Sequence, residues 1–185
     1  LDPKGIQIVG ARILGLLDLD FVSVHHPLAM SRCGLADPFT LRYARLPALS
    51  LAGSVCSEIR ADGSDCRESI FLRGATVKGK VWLIGATVGG DLDCAFATLE
   101  NISGDALTAD RLDCKGSVFL RGTTLKGTVQ FSGASIGGSV DFTGSTIEGA
   151  VRFEGAKVGN AFDCTGATLE NATGDALNAD GLYCK

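Results

Sequence analysis

The chain has 185 residues and 19.1 kDa, with 45% hydrophobic residues, 25 glycines and only 4 prolines. That composition excludes disorder, and the lack of a strict Gly-X-Y period excludes collagen. Its 17 basic and 21 acidic residues leave a net charge of −4, too balanced for a broad nucleic-acid or membrane-surface footprint.

Read from the N-terminus, the chain is one short unit repeated sixteen times. Units begin at Ile6, Leu17, Leu28, Phe39, Leu49, Ile59, Ile70, Val81, Leu92, Leu107, Val118, Val129, Val140, Val151, Phe162 and Leu177, eleven residues apart almost throughout. The units from Phe39 and Leu49 are one residue short, and four extra residues enter at 103–106 (SGDA) and 173–176 (TGDA). The pattern is plainest from Val118: VFLRGTTLKGT, VQFSGASIGGS, VDFTGSTIEGA, VRFEGAKVGNA, FDCTGATLENA. The first, third, sixth and eighth positions are apolar or small. Of these 64 positions only Ser54, Ser64, Thr123 and Ser145 fall outside Ala, Val, Ile, Leu, Met, Phe and Cys, and none is charged.

Apolar residues at positions one and three, then six and eight, read as two half-buried strands with period 2. Glycine at the fifth position and at or beside the tenth supplies corners, because glycine tolerates positive φ. A unit this short buries nothing alone and must stack on its neighbours. The expected fold is all-β: a right-handed parallel β-solenoid, four-sided, with about eight coils of two 11-residue units, forming a single domain over residues 1–185. At ~4.8 Å per strand the stack is about 38 Å long. No cap is visible at either end, so the chain is expected to be a segment of a longer array or to associate through its ends.

On these residues the chain resembles the pentapeptide-repeat proteins, whose quadrilateral β-helix turns a large central residue and a small residue two before it inward. Val140 with Phe142, Ser145 with Ile147, Val151 with Phe153, and Ala156 with Val158 reproduce that pairing. The likeness covers nearly the whole chain, in a variant whose centres alternate five and six residues apart. Segments such as GDALNADG also look like long repeat-containing actinobacterial proteins. From the residues themselves no enzyme activity is expected, as the histidines and cysteines below show. Some members of the family are dimers that mimic DNA and protect type II topoisomerases from inhibitors, a role that implies a strongly negative face.

All seven cysteines fall at inward positions, Cys33 at the sixth, Cys94 and Cys164 at the third, and Cys56, Cys66, Cys114 and Cys184 at the eighth, and read as core thiols. His25 and His26 precede Pro27 at a corner, and no nucleophile is paired with a base, so no catalytic constellation is assembled. No cofactor is expected. The two insertions, LENISGDALTAD and LENATGDALNAD, are expected to bulge from one edge three coils apart. There Asp105, Asp110, Asp175 and Asp180 are weak Ca²⁺ candidates, set against the ordinary use of Asn and Asp in turns. Thr76, Thr98, Thr124, Thr146 and Thr168 form a file beside Lys78, Glu100, Lys126, Glu148 and Glu170, which raises ice binding as a lesser alternative and a salt ladder as a feature. Phe71, Trp82 and Phe119 stand at outward second positions as a possible interaction surface.

The functional expectation is a rigid rod that binds a protein partner or copies of itself, with the topoisomerase-directed DNA mimic as the alternative. No nucleic acid, membrane or small-molecule partner is expected. No apolar run approaches a membrane span, and the opening LDPKGIQIVG lacks the basic start and apolar stretch of a secretory signal, so the expected location is cytoplasmic.

Overall fold

The structure, a computed structural model, describes residues 5–185. Every pairing is parallel, and the strands stack in four columns, each a face of the rod. The first face contains strands starting at Ile6, Leu28, Leu49, Ile70, Leu92, Val118, Val140 and Phe162. On the second face, Arg12, Gly34, Val55, Thr76, Thr98, Thr124, Thr146 and Thr168 are aligned rung by rung. The third aligns Leu17, Phe39, Ile59, Val81, Leu107, Val129, Val151 and Leu177. The fourth has seven strands, from Arg45–Leu46 to Tyr183–Cys184, and a bridge from Ser23 to Arg45 extends it by one rung. Second and third faces are fused into a 14-stranded sheet because Thr98–Thr108 and Thr124–Gln130 run unbroken round the corner between them.

All sixteen unit starts therefore lie in register, and the rod is a parallel β-solenoid of about eight coils. The inward positions are buried through coils two to seven, and even the four polar exceptions are enclosed, Ser54, Ser64, Thr123 and Ser145 each being 2% exposed or less. Ser54 makes use of its hydroxyl, accepting from Cys33 N at 2.9 Å and donating to Met30 O at 2.6 Å. In the first and last coils the same positions are covered on one side only, so Ile6 and Leu177 are 41% and 39% exposed. The cysteines follow this gradient: five are buried, Cys164 is half-buried and Cys184 is exposed.

The lower core is aromatic. Phe131 and Phe153 stack at 4.9 Å, Phe153 meets Phe162 edge-on at 4.9 Å, and Phe142 lies 6.1 Å from Phe153 and 5.8 Å from Phe162.

The two glycine positions turn out to have different causes. Fifth-position glycines do sit at positive φ, between 60° and 68° from Gly53 onward. At the tenth position Gly79 has no positive φ; a Cβ there would lie 2.5 Å from the Ser57 carbonyl of the coil above, so close stacking of backbones selects the glycine, whereas Gly127 and Gly149 combine such stacking with positive φ of 122° and 150°. Five residues adopt the fifth-position conformation without being glycine: Phe21, Arg32, Tyr43, Phe96 and Arg111, with φ of 54–60°. Tyr43, Phe96 and Arg32 lie over a glycine of the next coil, at Gly63, Gly122 and Gly53, using the space a Cβ would fill.

This supplies a controlled test of the corner. Gly74→Ala introduces only the positive-φ strain, since nothing lies within 4 Å of its new Cβ, and is expected to destabilise by about 1–2 kcal/mol. Gly63→Ala adds a clash with the Tyr43 ring at 2.5 Å and is expected to lose about 1 kcal/mol more. Urea denaturation of both variants, repeated in a Tyr43→Ala background where the difference is expected to vanish, checks the assignment.

Candidate interaction surface

The outward side chains are held by two local devices. Asp at the second position caps the fourth: Asp93 Oδ1 accepts from Ala95 N, Asp141 Oδ1 from Thr143 N and Asp163 Oδ1 from Thr165 N, all at 2.8–2.9 Å. Asp at the fourth position reaches the next coil, Asp20 accepting from Arg42 N, Asp62 from Ile84 N and Asp110 from Ser132 N. Charges pair across rungs as well, with Arg42–Asp20 at 2.5 Å, Arg73–Asp93 at 3.5 Å and Arg121–Asp141 at 3.3 Å.

The three candidate aromatics divide between faces. Phe71 and Phe119 lie on the first face, two rungs apart with Asp93 between them. Trp82 lies on the third face, in register with Arg60 and Thr108. In a four-sided coil those faces are opposite, so the three side chains form no continuous patch. Trp82 is also fastened in place: its Nε1 donates to Glu58 Oε1 at 2.9 Å and Lys80 Nζ stands 3.5 Å over its ring. Arg60 at 3.0 Å, and after it Trp82, hold the Glu58 carboxyl below the usual carboxylate range against partial burial. Phe119 is covered by Arg121 at 4.6 Å. Freer aromatics sit at the non-glycine corners: Phe21 and Tyr43, stacked at 5.3 Å, and Phe96, with Arg73 5.3 Å over its ring. The signal for them was in the sequence, as a large residue at the fifth position where glycine is the rule.

Both insertions emerge at the corner between the second and third faces, in coils five and eight. The shared sequence makes the same closure in each, Asn101 Nδ2 donating to Asp105 O and Asn171 Nδ2 to Asp175 O, both at 2.9 Å. The upper bulge is clamped from both sides, by Lys80 Nζ at 2.7 Å and Gln130 Nε2 at 2.6 Å on the Asp105 carboxylate. Partial burial opposes that charge, but the two hydrogen bonds outweigh it and hold the Asp105 carboxyl below its ordinary range. Of the Ca²⁺ candidates, Asp105 is thus tied to Lys80, Asp110 serves the Ser132 rung, and Asp175 and Asp180 lie in the last coil. Among the described residues no three His, Cys, Asp or Glu side chains converge as metal ligands.

Between the bulges the corners of coils six and seven are small, Gly127 with Thr128 and Gly149 with Ala150, so the corner is saddle-shaped. The resulting groove encloses about 840 Å³, walled by Ile102 and Gly104 above and by Asn171, Ala172 and Thr173 below, with Glu148, Arg152 and Glu170 along it. Ile102 is 84% exposed, an apolar side chain carried into solvent on a clamped bulge. The insertion's position was legible in the sequence; the exposure of Ile102 was not, because it depends on the clamp from residues 25 positions away on either side.

The threonine file is present on the second face from Thr76 to Thr168. The salt ladder beside it contains one ion pair, Lys126–Glu100 at 3.6 Å, and Glu148 faces Glu170 one rung away.

The four-column rod with an inward pair in every half-unit is the architecture of pentapeptide repeats, and residues 113–157 match the family model described as "Pentapeptide repeats (9 copies)". The same register runs through all eight coils in 11-residue units, so the rest of the rod is similar in its coil geometry to the matched segment. Among solved structures it is similar to trypsin-treated QnrB1, a plasmid-mediated fluoroquinolone resistance protein, with 16% identity over 98% of this chain and 90% of that chain and a TM-score of 0.23. The likeness rests on the repeat match over residues 113–157 and on the coil geometry. Comparison with curated proteins gives no match. No helix among the described residues is long and apolar enough to cross a membrane.

Proposed function

We propose that the rod is a non-enzymatic interaction module that engages a protein partner through the saddle between its two bulges. The observation that carries this reading is Ile102, 84% exposed at the rim of a groove of about 840 Å³ that exists only because the repeat is interrupted twice on one corner. An exposed aliphatic side chain on a rigid mount beside a concave surface supplies the apolar centre a protein interface needs, and Glu148, Arg152 and Glu170 supply a polar rim. The pairing of Arg42, Arg73 and Arg121 with acids one coil away breaks up the continuous negative face that a DNA mimic requires, which weighs against the topoisomerase-directed reading.

Ile102→Asp tests it, because the side chain contributes nothing to the core. Affinity capture from a lysate of the native host, with wild type and variant compared by quantitative mass spectrometry, is expected to show a protein retained by the first and lost from the second at unchanged thermal stability. Identical retention by both would remove the saddle from the reading.

A further inference from the structure

A second concave surface lies on the upper half of the second face, far from the saddle. It encloses about 420 Å³ and spans coils one to four, with Arg12, Arg32 and Lys78 around a floor that includes Gly34, Ala36 and Val55. It arises from two residues of coil two. The outward seventh and ninth positions, which hold Arg12 and Leu14 in the coil above and Thr76 and Lys78 in coil four, are Gly34 and Ala36 here.

Gly34 is unlike the other glycines of the chain. It is not at positive φ, and a Cβ built on it meets nothing within 4 Å, whereas every other glycine has a positive φ or a neighbour within that distance. Neither backbone conformation nor close stacking calls for glycine at this position. What the glycine does is leave space.

The charges around that space are unpaired, as are Arg45, Arg67, Arg111, Arg152, Lys157 and Lys185 elsewhere among the described residues, but only here do three such cations border one concavity free of acids. Arg42, Arg60, Arg73, Lys80, Lys115, Arg121 and Lys126 each lie within 4.0 Å of an acid. Among the described residues Arg12, Arg32 and Lys78 make no ion pair, and no acidic residue lines the groove.

The geometry points to a docking groove for an extended acidic segment of a partner protein. Arg12 and Lys78 stand in coils one and four, about 14 Å apart along the rod at ~4.8 Å per rung, with Arg32 between them in coil two. Alternate side chains of an extended chain recur every ~7 Å, so three successive outward carboxylates span the same length as these three cations. The small floor admits the peptide backbone, Val55 offers an apolar contact, and the cations supply charge-assisted hydrogen bonds. This rests on the reading of the rod as an interaction module but not on the saddle.

The test is fluorescence anisotropy with a fluorescein-labelled peptide alternating glutamate and valine, titrated with wild-type protein, Gly34→Val, and Arg12→Ala combined with Lys78→Ala. Valine at position 34 fills the groove in a strand where its Cβ meets no atom, so the variant is expected to melt no lower than wild type. Saturable binding is expected, weakened about tenfold or more in either variant and by raising salt from about 0.05 to 0.3 M. Binding that is absent at millimolar protein, equal in Gly34→Val, matched by a lysine–valine peptide, or matched by inorganic phosphate alone would overturn the proposal. The Ile102→Asp capture result is independent of all four outcomes, so the groove and the saddle can fail separately.

Discussion

Phe153→Ala is expected to destabilise the protein by about 3–5 kcal/mol, the range for removing a fully buried aromatic ring. Phe153 is 0% exposed and touches three other rings, stacking on Phe131 at 4.9 Å, meeting Phe162 edge-on at 4.9 Å and Phe142 at 6.1 Å. The cavity opens where no large side chain can relax into it, because each neighbouring ring is pinned by its own coil. A solenoid couples only adjacent coils, so the damage is expected to be local. Hydrogen exchange should show coils seven and eight losing protection while the amides of coils two to five keep theirs. Phe71→Ala, at an outward position of coil four, serves as the control and should change stability by less than about 0.5 kcal/mol. Uniform loss of protection along the rod after Phe153→Ala would refute the nearest-neighbour picture.

Raising the pH is expected to weaken the rod steeply. Burial pushes the Cys56 thiol up to about 12 and those of Cys66 and Cys114 up to about 11, and it raises Cys94 as well. In the unfolded chain these thiols titrate near ~8.5. Below that value both states hold the proton and the thiols are neutral in the balance. Above it the unfolded chain releases protons that the folded chain retains, so stability falls as pH rises toward the folded pKa values. Each such thiol contributes a slope of about 1.4 kcal/mol per pH unit. Urea denaturation between pH 8 and 10.5 under reducing conditions should show the fall, and Cys94→Ala should make it shallower by about one thiol's slope. A slope indifferent to Cys94 would mean that other groups drive the loss.

The same burial lowers the reactivity of Cys56, Cys66 and Cys114. A thiol at about 11 or 12 is protonated at neutral pH and is a poor nucleophile or metal ligand. Cys114 Sγ donates to the Gly90 carbonyl at 3.3 Å, a use open only to the protonated form.

Much of this was legible in the sequence. The unit starts, the four inward positions, the two short units and the two insertions could be read because inward and outward alternate every residue along a strand, a local rule that one coil obeys without reference to the next. Glycine marked the corners correctly but under a single cause. The positive φ of Gly74 is a local matter, while the demand at Gly79 comes from the Ser57 carbonyl one coil away.

What lay beyond reach was everything decided between coils. Phe119 is covered by the Arg121 guanidinium and Trp82 is fastened by Glu58 and Lys80, contacts that no periodicity announces. Asp105 finds its partners at Lys80 and Gln130, each 25 residues distant, and that clamp raises Ile102 above the surface. Gly34 stands at an outward seventh position rather than a corner, but that it leaves open space is known only from its φ and its empty surroundings. The amino-acid order by itself determined which side chains face in and where the chain bends, because both depend on neighbours one to three residues away. Only the tertiary structure decided which outward side chains bond to one another, because those contacts depend on side-chain reach between rungs, while the short units and insertions leave the rung register itself intact.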